Sequence, residues 1–163
     1  MAVTQVRPEP AGPGSGRLVR NDHRVPLRRA DLAGCPVTAV MGRPPITLDA
    51  EATLAMALQT FAAYGVRHLV VVDADGRCLG MLSDRAVASW WARVPMTFER
   101  VRVRNVVGAS SCTVGMRATL ADVARVMHAA GTDAVVVVDA AAVPCGVIST
   151  SDLVSLLAKP THT

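Results

Sequence analysis

The sequence predicts an α/β protein of the α+β type, built from two β-α-β-β-α repeats related by pseudo-twofold symmetry. Three observations carry this. First, the chain lies over itself when Gly80 is set on Gly146: Val70-Val71-Val72-Asp73-Ala74 falls on Val136-Val137-Val138-Asp139-Ala140, and Gly80-Met81-Leu82-Ser83 on Gly146-Val147-Ile148-Ser149. That period exceeds the roughly 20–50 residues of solenoid and propeller repeats, so each copy is a small unit with strands and helices of its own. Second, 51% of residues are hydrophobic but only 3% aromatic. Such a core is built from Val, Leu, Ala and Met, which suits strands under close-packed helices and argues against a disordered chain. Third, continuous β-branched runs alternate with segments of helical apolar spacing. A chain of 163 residues holds one compact body or two half-size units sharing a core.

The elements follow in order. Residues 1–33 carry Pro8, Pro10, Pro13 and Pro26 with Gly12, Gly14 and Gly16, and are expected to form a flexible leader, extended where it docks. The first repeat is expected over 34–91, a joint carrying Pro95, Arg93, Arg100 and Arg102 over 92–102, the second repeat over 103–159, and a tail over 160–163. Within the repeats, short opening strands lie at Ile46-Thr47-Leu48 and Cys112-Thr113-Val114. Thr53 and Thr119 suit helix N-caps, because a hydroxyl there accepts from free backbone amides, and Thr119 with Asp122 approximates a capping box. Leu54, Leu58 and Phe61, and Leu120, Val123 and Met127, then recur at helical spacing. Gly65 and Gly131 supply the left-handed residue that closes each helix. His68–Val72 and Ala134–Val138 read as buried strands. Asp75-Gly76 is a hairpin turn signal leading to a strand at Cys78–Leu82; Ala141-Ala142-Val143-Pro144 lacks that signal, so the second hairpin is expected to be looser. Short helices near Arg85–Trp91 and Ser151–Ala158 end the repeats.

The formal charge of +4 invites a nucleic-acid partner, but its location argues against one. Residues 1–36 hold six Arg against three acids, leaving eleven bases against ten acids in the repeats and their joint. The four cysteines form no CxxC and have no His at zinc-ligand spacing. No apolar h-region of a signal peptide and no run near the ~20 apolar residues of a bilayer span is present. No metal or membrane is therefore expected, and a reducing cytoplasmic setting is.

Each copy carries the same ordered motifs: Val37-Thr-Ala-Val-Met41, Ile46-Thr-Leu48, Arg67-His-Leu-Val-Val-Val-Asp73 and Gly80-Met-Leu-Ser-Asp-Arg-Ala-Val87 in the first. The second reads Val103-Arg-Asn-Val-Val107, Cys112-Thr-Val114, Asp133-Ala-Val-Val-Val-Val-Asp139 and Gly146-Val-Ile-Ser-Thr-Ser-Asp-Leu153. Together these resemble a tandem pair of cystathionine β-synthase (CBS) domains, a Bateman module, over about Cys35 to Ala158.

The closing element has chemistry of its own. A strand ends at Ile148 and Ser149 begins the turn into a helix, where free amides and the helix dipole can hold an anion. Asp152 can accept from both hydroxyls of a ribose, as carboxylates do in other nucleotide sites. The same Ser-x-x-Asp spacing also describes a plain helix cap, with Ser149 or Ser151 holding amides and Asp152 favoured by the dipole. The resemblance implies that Ser149 meets the phosphate and Asp152 the ribose of an adenine nucleotide. It places the purine between Thr113 and Val114 on one side and Thr132, Asp133, Ala134 and Val135 on the other. Ile148 and Ser151 complete this candidate site. The first copy offers a weaker one, Thr47, Arg67, His68, Ser83 and Arg85, because Ala86 stands where the ribose-binding Asp belongs. Asp84, two positions back, faces elsewhere on a helix that turns ~100° per residue. Arg67, His68 and Arg85 are either phosphate contacts or solvated surface.

Catalysis is not expected: the four His are scattered, no triad signature recurs, and the Gly-rich phosphate fingerprints are absent. No cofactor is required by this reading. Trp90-Trp91 either covers the open end of the core or marks a dimer contact. The expected function is a regulatory module that binds an adenine nucleotide and signals to an unidentified protein partner, as a homodimer. The alternatives are a ligand-free structural or protein-interaction module and, more distantly, nucleic-acid binding led by the basic tail.

Overall fold

The computed structural model describes residues 29–42, 44–94, 98–107 and 112–158. Most of the expected leader, the tail over 160–163 and part of the joint lie outside the described residues. The first repeat comprises β1 (Thr47–Asp49), α1 (Leu54–Tyr64), β2 (His68–Val72), β3 (Cys78–Ser83) and α2 (Asp84–Arg93). The second comprises β4 (Thr113–Gly115), α3 (Leu120–Ala130), β5 (Ala134–Val138), β6 (Pro144–Ser149) and α4 (Thr150–Ala158). Each repeat folds into a three-stranded mixed sheet, β1-β2-β3 and β4-β5-β6. β1 runs parallel to β2 and β4 to β5, while β3 and β6 return antiparallel in matching registers (Val70 opposite Met81, Val136 opposite Val147). The predicted order of elements and the α+β architecture are those observed.

Local chemistry sets the element ends. The Thr53 hydroxyl accepts from the Met56 amide at 3.2 Å. Thr119 and Asp122 form a reciprocal capping box, the Thr119 amide donating to the Asp122 carboxylate at 2.8 Å. Those backbone and hydroxyl donors of Thr119 hold the Asp122 carboxyl below the usual carboxylate range. α1 and α3 both stop at a glycine in the left-handed region, Gly65 at φ 60° and Gly131 at φ 61°.

The second hairpin is not looser than the first. In the first, the Asp73 carboxylate accepts from the amides of Asp75 and Arg77. In the second, Asp139 accepts in the same way from Ala141 and Val143. The carboxylate at the turn entrance therefore dictates the loop in both copies. Gly76 meets the positive-φ requirement of the first at φ 78°, and Ala142 is forced to meet it in the second at φ 64°.

The two cores interlock. Leu48, Leu54, Leu69, Val71, Leu82 and Val87 of the first repeat enclose Val103, which belongs to the segment that opens the second. Conversely Leu120, Val123, Val135, Val137 and Ile148 enclose Cys35 and Val37, which open the first. Backbone bonds fix the exchange: the Val37 amide donates to Ala118 at 3.0 Å and the Leu120 amide to Cys35 at 2.9 Å, while Val103 donates to Ala52 at 2.8 Å and Leu54 to Val101 at 3.0 Å. The reason is pairing. Pro36 and Arg102 are extended residues that bridge antiparallel to the N-caps Thr119 and Thr53. The valine-rich opening motif of each copy thus closes the core of the other. Gly146 marks how tightly: a Cβ there would lie 2.8 Å from Met41 Sδ.

Trp90 packs on the first core, with its indole Nε1 buried and without a hydrogen-bond partner among the described residues. Trp91 is 52% exposed and lies over Phe98 with ring centroids 4.7 Å apart. The pair therefore splits, one ring covering the core and the other reaching solvent.

Candidate functional site

The sheet gathers the candidate residues of the second repeat at one end. Because β6 returns antiparallel, its last residue, Ser149, pairs with Ala134, the first residue of β5, and Ile148 pairs with Val135. Thr113 opens β4 beside Val136. The amide and hydroxyl of Thr150 both donate to the Asp133 carbonyl, at 2.8 and 3.1 Å, which clamps the start of α4 to the start of β5. Thr132 and Ala134 tie the entry to β5, the Thr132 hydroxyl donating to the Ala134 carbonyl at 3.2 Å.

At the turn itself, Ser149 donates its amide to Asp152 Oδ2 at 2.8 Å and its hydroxyl to the same oxygen at 2.6 Å. The Asp152 amide donates back to the Ser149 hydroxyl at 3.4 Å. Ser149 and Asp152 therefore form a capping box, and both side chains sit at the mouth of the sheet end, Ser149 half-buried and Asp152 exposed. Ser151 is exposed in the first turn of α4 and takes no part in that cap. Val114, Ala134, Val135 and Ile148 are buried. The side chains of Val114, Val135 and Ile148 belong to the second core.

The first repeat builds the same turn from different side chains. Asp84 donates its amide to the Arg67 carbonyl at 3.1 Å, the counterpart of Thr150 on Asp133. Ser83 caps α2 by accepting from the Ala86 amide at 3.1 Å. The Asp84 carboxylate accepts from Arg67 Nε at 3.3 Å and from the Arg85 amide at 2.7 Å. Thr47 opens β1 beside Val70, half-buried, and Arg85 is exposed. With Ala86 in the place of Asp152, no carboxylate reaches back to Ser83.

Sequence reasoning assigned His68 and Asp133 to separate clefts, and the structure joins them. His68 Nε2 lies 2.9 Å from Asp133 Oδ1, with side-chain exposures of 12% and 54%. The hydrogen bond from His68, more than its charge or that of Arg67, holds the Asp133 carboxyl below the usual carboxylate range. The available signal was positional. In each repeat the residues before the central strand are polar, and pseudo-twofold symmetry brings the two central strands' beginnings together. Elsewhere burial pushes the thiols of Cys35, Cys78 and Cys112 upward, which keeps them protonated and poorly nucleophilic. Among the described residues no cluster of three His, Cys, Asp or Glu side chains could hold a metal ion, and no helix is long and apolar enough to cross a membrane.

Comparison with known proteins agrees with this architecture. The CBS domain profile matches the chain twice, over residues 37–93 and 101–159. The candidate acetoin utilization protein AcuB from Vibrio cholerae is similar in structure at 30% identity, with a TM-score of 0.64 over 75% of this chain and 89% of that one. The CBS domain pair of the protein MJ0100, solved with 5′-methylthioadenosine and S-adenosyl-L-methionine, overlays with a TM-score of 0.67 at 20% identity, over 75% of this chain and 98% of that one. Among curated proteins, L-aspartate semialdehyde sulfurtransferase of Methanocaldococcus jannaschii is 29% identical over 77 residues, covering 45% of this chain and 15% of that protein's length. The doubled profile match, the repeated mixed sheet and the paired Ser-capped helices lead to one statement: the chain belongs to the CBS domain family, as a tandem pair.

Proposed function

We propose that the protein is a regulatory module that binds an adenine-containing ligand, of the adenine nucleotide class, at the end of the second sheet and transmits occupancy to a protein partner in the cytoplasm. The observation that carries this reading is the turn from β6 into α4. There Ser149 and Asp152 stand at a sheet end beside Thr113, Thr132 and the backbone of Ala134. The carboxylate of Asp152 suits the two hydroxyls of a ribose, and β4, which lies at the edge of its sheet, suits the hydrogen-bonding rim of a purine. The adenosine compounds held by the MJ0100 pair support the class of ligand. A regulatory rather than catalytic role is part of this proposal, and the hydrogen-bonding character of Ser149, Asp152 and Thr132 supports it.

Thermal denaturation in the presence of AMP, ATP, S-adenosylmethionine, 5′-methylthioadenosine and NADH tests this. A ligand at 100 times its Kd is expected to stabilise by about 2.7 kcal/mol. No shift with any adenosine compound sinks the reading.

A second reading, a protein-interaction module, is favoured by the exposed apolar residues of α2 and α4. Val154 and Leu157 are 56% and 51% exposed, and Trp91 projects beside Val94. We propose that these faces are covered in a homodimer, twofold closure being the commonest solution for soluble chains. Light scattering at micromolar concentration is expected to give twice the 17.1 kDa mass; a strict monomer rejects it.

A further inference from the structure

A continuous run of hydrogen bonds joins the first turns of the two closing helices. It starts at α2, where the Asp84 amide donates to the Arg67 carbonyl at 3.1 Å and Arg67 Nε donates to Asp84 Oδ2 at 3.3 Å. Arg67 precedes His68, the first residue of β2. His68 then crosses between the repeats, its Nε2 lying 2.9 Å from Asp133 Oδ1. The Asp133 carbonyl in turn accepts from the Thr150 amide and hydroxyl, at 2.8 and 3.1 Å. Thr150 is the first residue of α4 and follows Ser149, whose hydroxyl donates to Asp152. The backbone clamps at the two ends are copies of one another, but the crossing is not. Ala134 stands where a second His68 belongs and Arg67 where a second Asp133 belongs, so the chain can make this bond only once.

We infer that the relay Arg67, His68, Asp133, Thr150 carries occupancy at the turn into α4 across to α2, so that a ligand held by one repeat alters the closing helix of the other. This rests on the proposed function and supplies its route of transmission. A ligand that engages Ser149 and Asp152 moves the first turn of α4, and Thr150 takes the Asp133 carbonyl with it. His68 then follows or loses its bond. With only 12% of its side chain exposed, losing the bond leaves an enclosed imidazole nitrogen unpaired, a penalty that favours movement of both ends together. Hydrogen-bonded chains of this kind carry coupling between sites where each end has two arrangements. The chain also holds its own reporter. Its two tryptophans, Trp90 and Trp91, both stand in α2, and the second repeat has none.

Calorimetry and tryptophan fluorescence on the full chain, titrated with AMP and separately with 5′-methylthioadenosine, test the route. Calorimetry reads binding and fluorescence reads α2. The wild type is expected to show a saturable emission change whose midpoint matches the calorimetric Kd. His68→Ala, compared at saturating ligand so that any change in affinity drops out, is expected to lose most of that emission change. Asp133→Ala breaks the same bond from the other side and is expected to match it. His68→Gln, whose amide nitrogen can donate to Asp133 in place of Nε2, is expected to keep the change. Binding without an emission change in the wild type overturns the relay and leaves the adenosine site standing. So does a change that survives in both alanine variants, or one that His68→Gln fails to preserve. If calorimetry shows neither compound binding, the proposed function and the relay fall together.

Discussion

Ala142 shows how a single position departs from its copy. It holds φ 64° where the first repeat has Gly76, because the Asp139 carboxylate fixes the turn around it. An L-residue in the left-handed region costs roughly 1–2 kcal/mol, and a glycine there gives part of that back as unfolded-state entropy. Ala142→Gly is therefore expected to stabilise by about 0.5–1 kcal/mol, read as a higher urea midpoint at unchanged slope. Asp152 has two duties, cap and proposed ribose contact. Asp152→Ala is expected to lose about 1 kcal/mol of stability through the cap and to weaken the adenosine ligand by about 10- to 150-fold, from 1.5–3 kcal/mol of charge-assisted bonding. A variant that loses the cap's stability but binds as before leaves Ser149–Asp152 as a cap alone. Asp133 brings a pH dependence. Its carboxyl is depressed in the folded chain, so its stabilising effect is present above the unfolded value of about 4 and is lost as pH falls through the folded value. Acid titration of the melting temperature is expected to show a shallower decline below pH ~4 for Asp133→Asn. Which candidate residues are neighbours on one strand or turn was legible in the sequence, because spacing alone fixes what neighbours what there. The bond between His68 and Asp133 was not, because it joins residues of different repeats whose relative placement no local pattern records.

At the scale of the elements, caps, glycine stops and β-branched runs were all legible, since each is a local conflict between side chain and backbone that the residue type resolves. The hidden feature was the partner of each opening segment. Pro36 pairs with Thr119 and Arg102 with Thr53, pairings that no periodicity within 11 or so residues can encode. Their consequence is symmetric in energy. Val37 and Val103 are each fully buried in the core of the other repeat. Val37→Ala and Val103→Ala are each expected to cost about 1–3 kcal/mol, the usual range for removing buried methyl groups. Their chemical denaturation is expected to remain a single transition. Two separate transitions would show that the repeats unfold independently and that the exchanged segments carry little. Gly146 belongs to the same contact. Any side chain there displaces Met41, so Gly146→Val is expected to be as damaging as either alanine variant, through overpacking rather than a void.

For the whole molecule, the exchange of opening segments makes a repeat by itself an incomplete object: it carries a valine that fits a core it does not own, and a core lacking a valine. A second copy of the same half supplies both needs at once. A fragment starting near residue 98 and ending at 158 is thus expected to sediment as a dimer, each half lending its opening turn to the other. A well-folded monomeric fragment would contradict this. A half-length ancestor that traded segments between identical copies needs only gene duplication and an in-frame joint to become this protein. Once joined, the copies no longer have to be identical, and His68 of one can bond Asp133 of the other. Divergence between two formerly equal halves is what fusion makes available, and here it has been spent on charge.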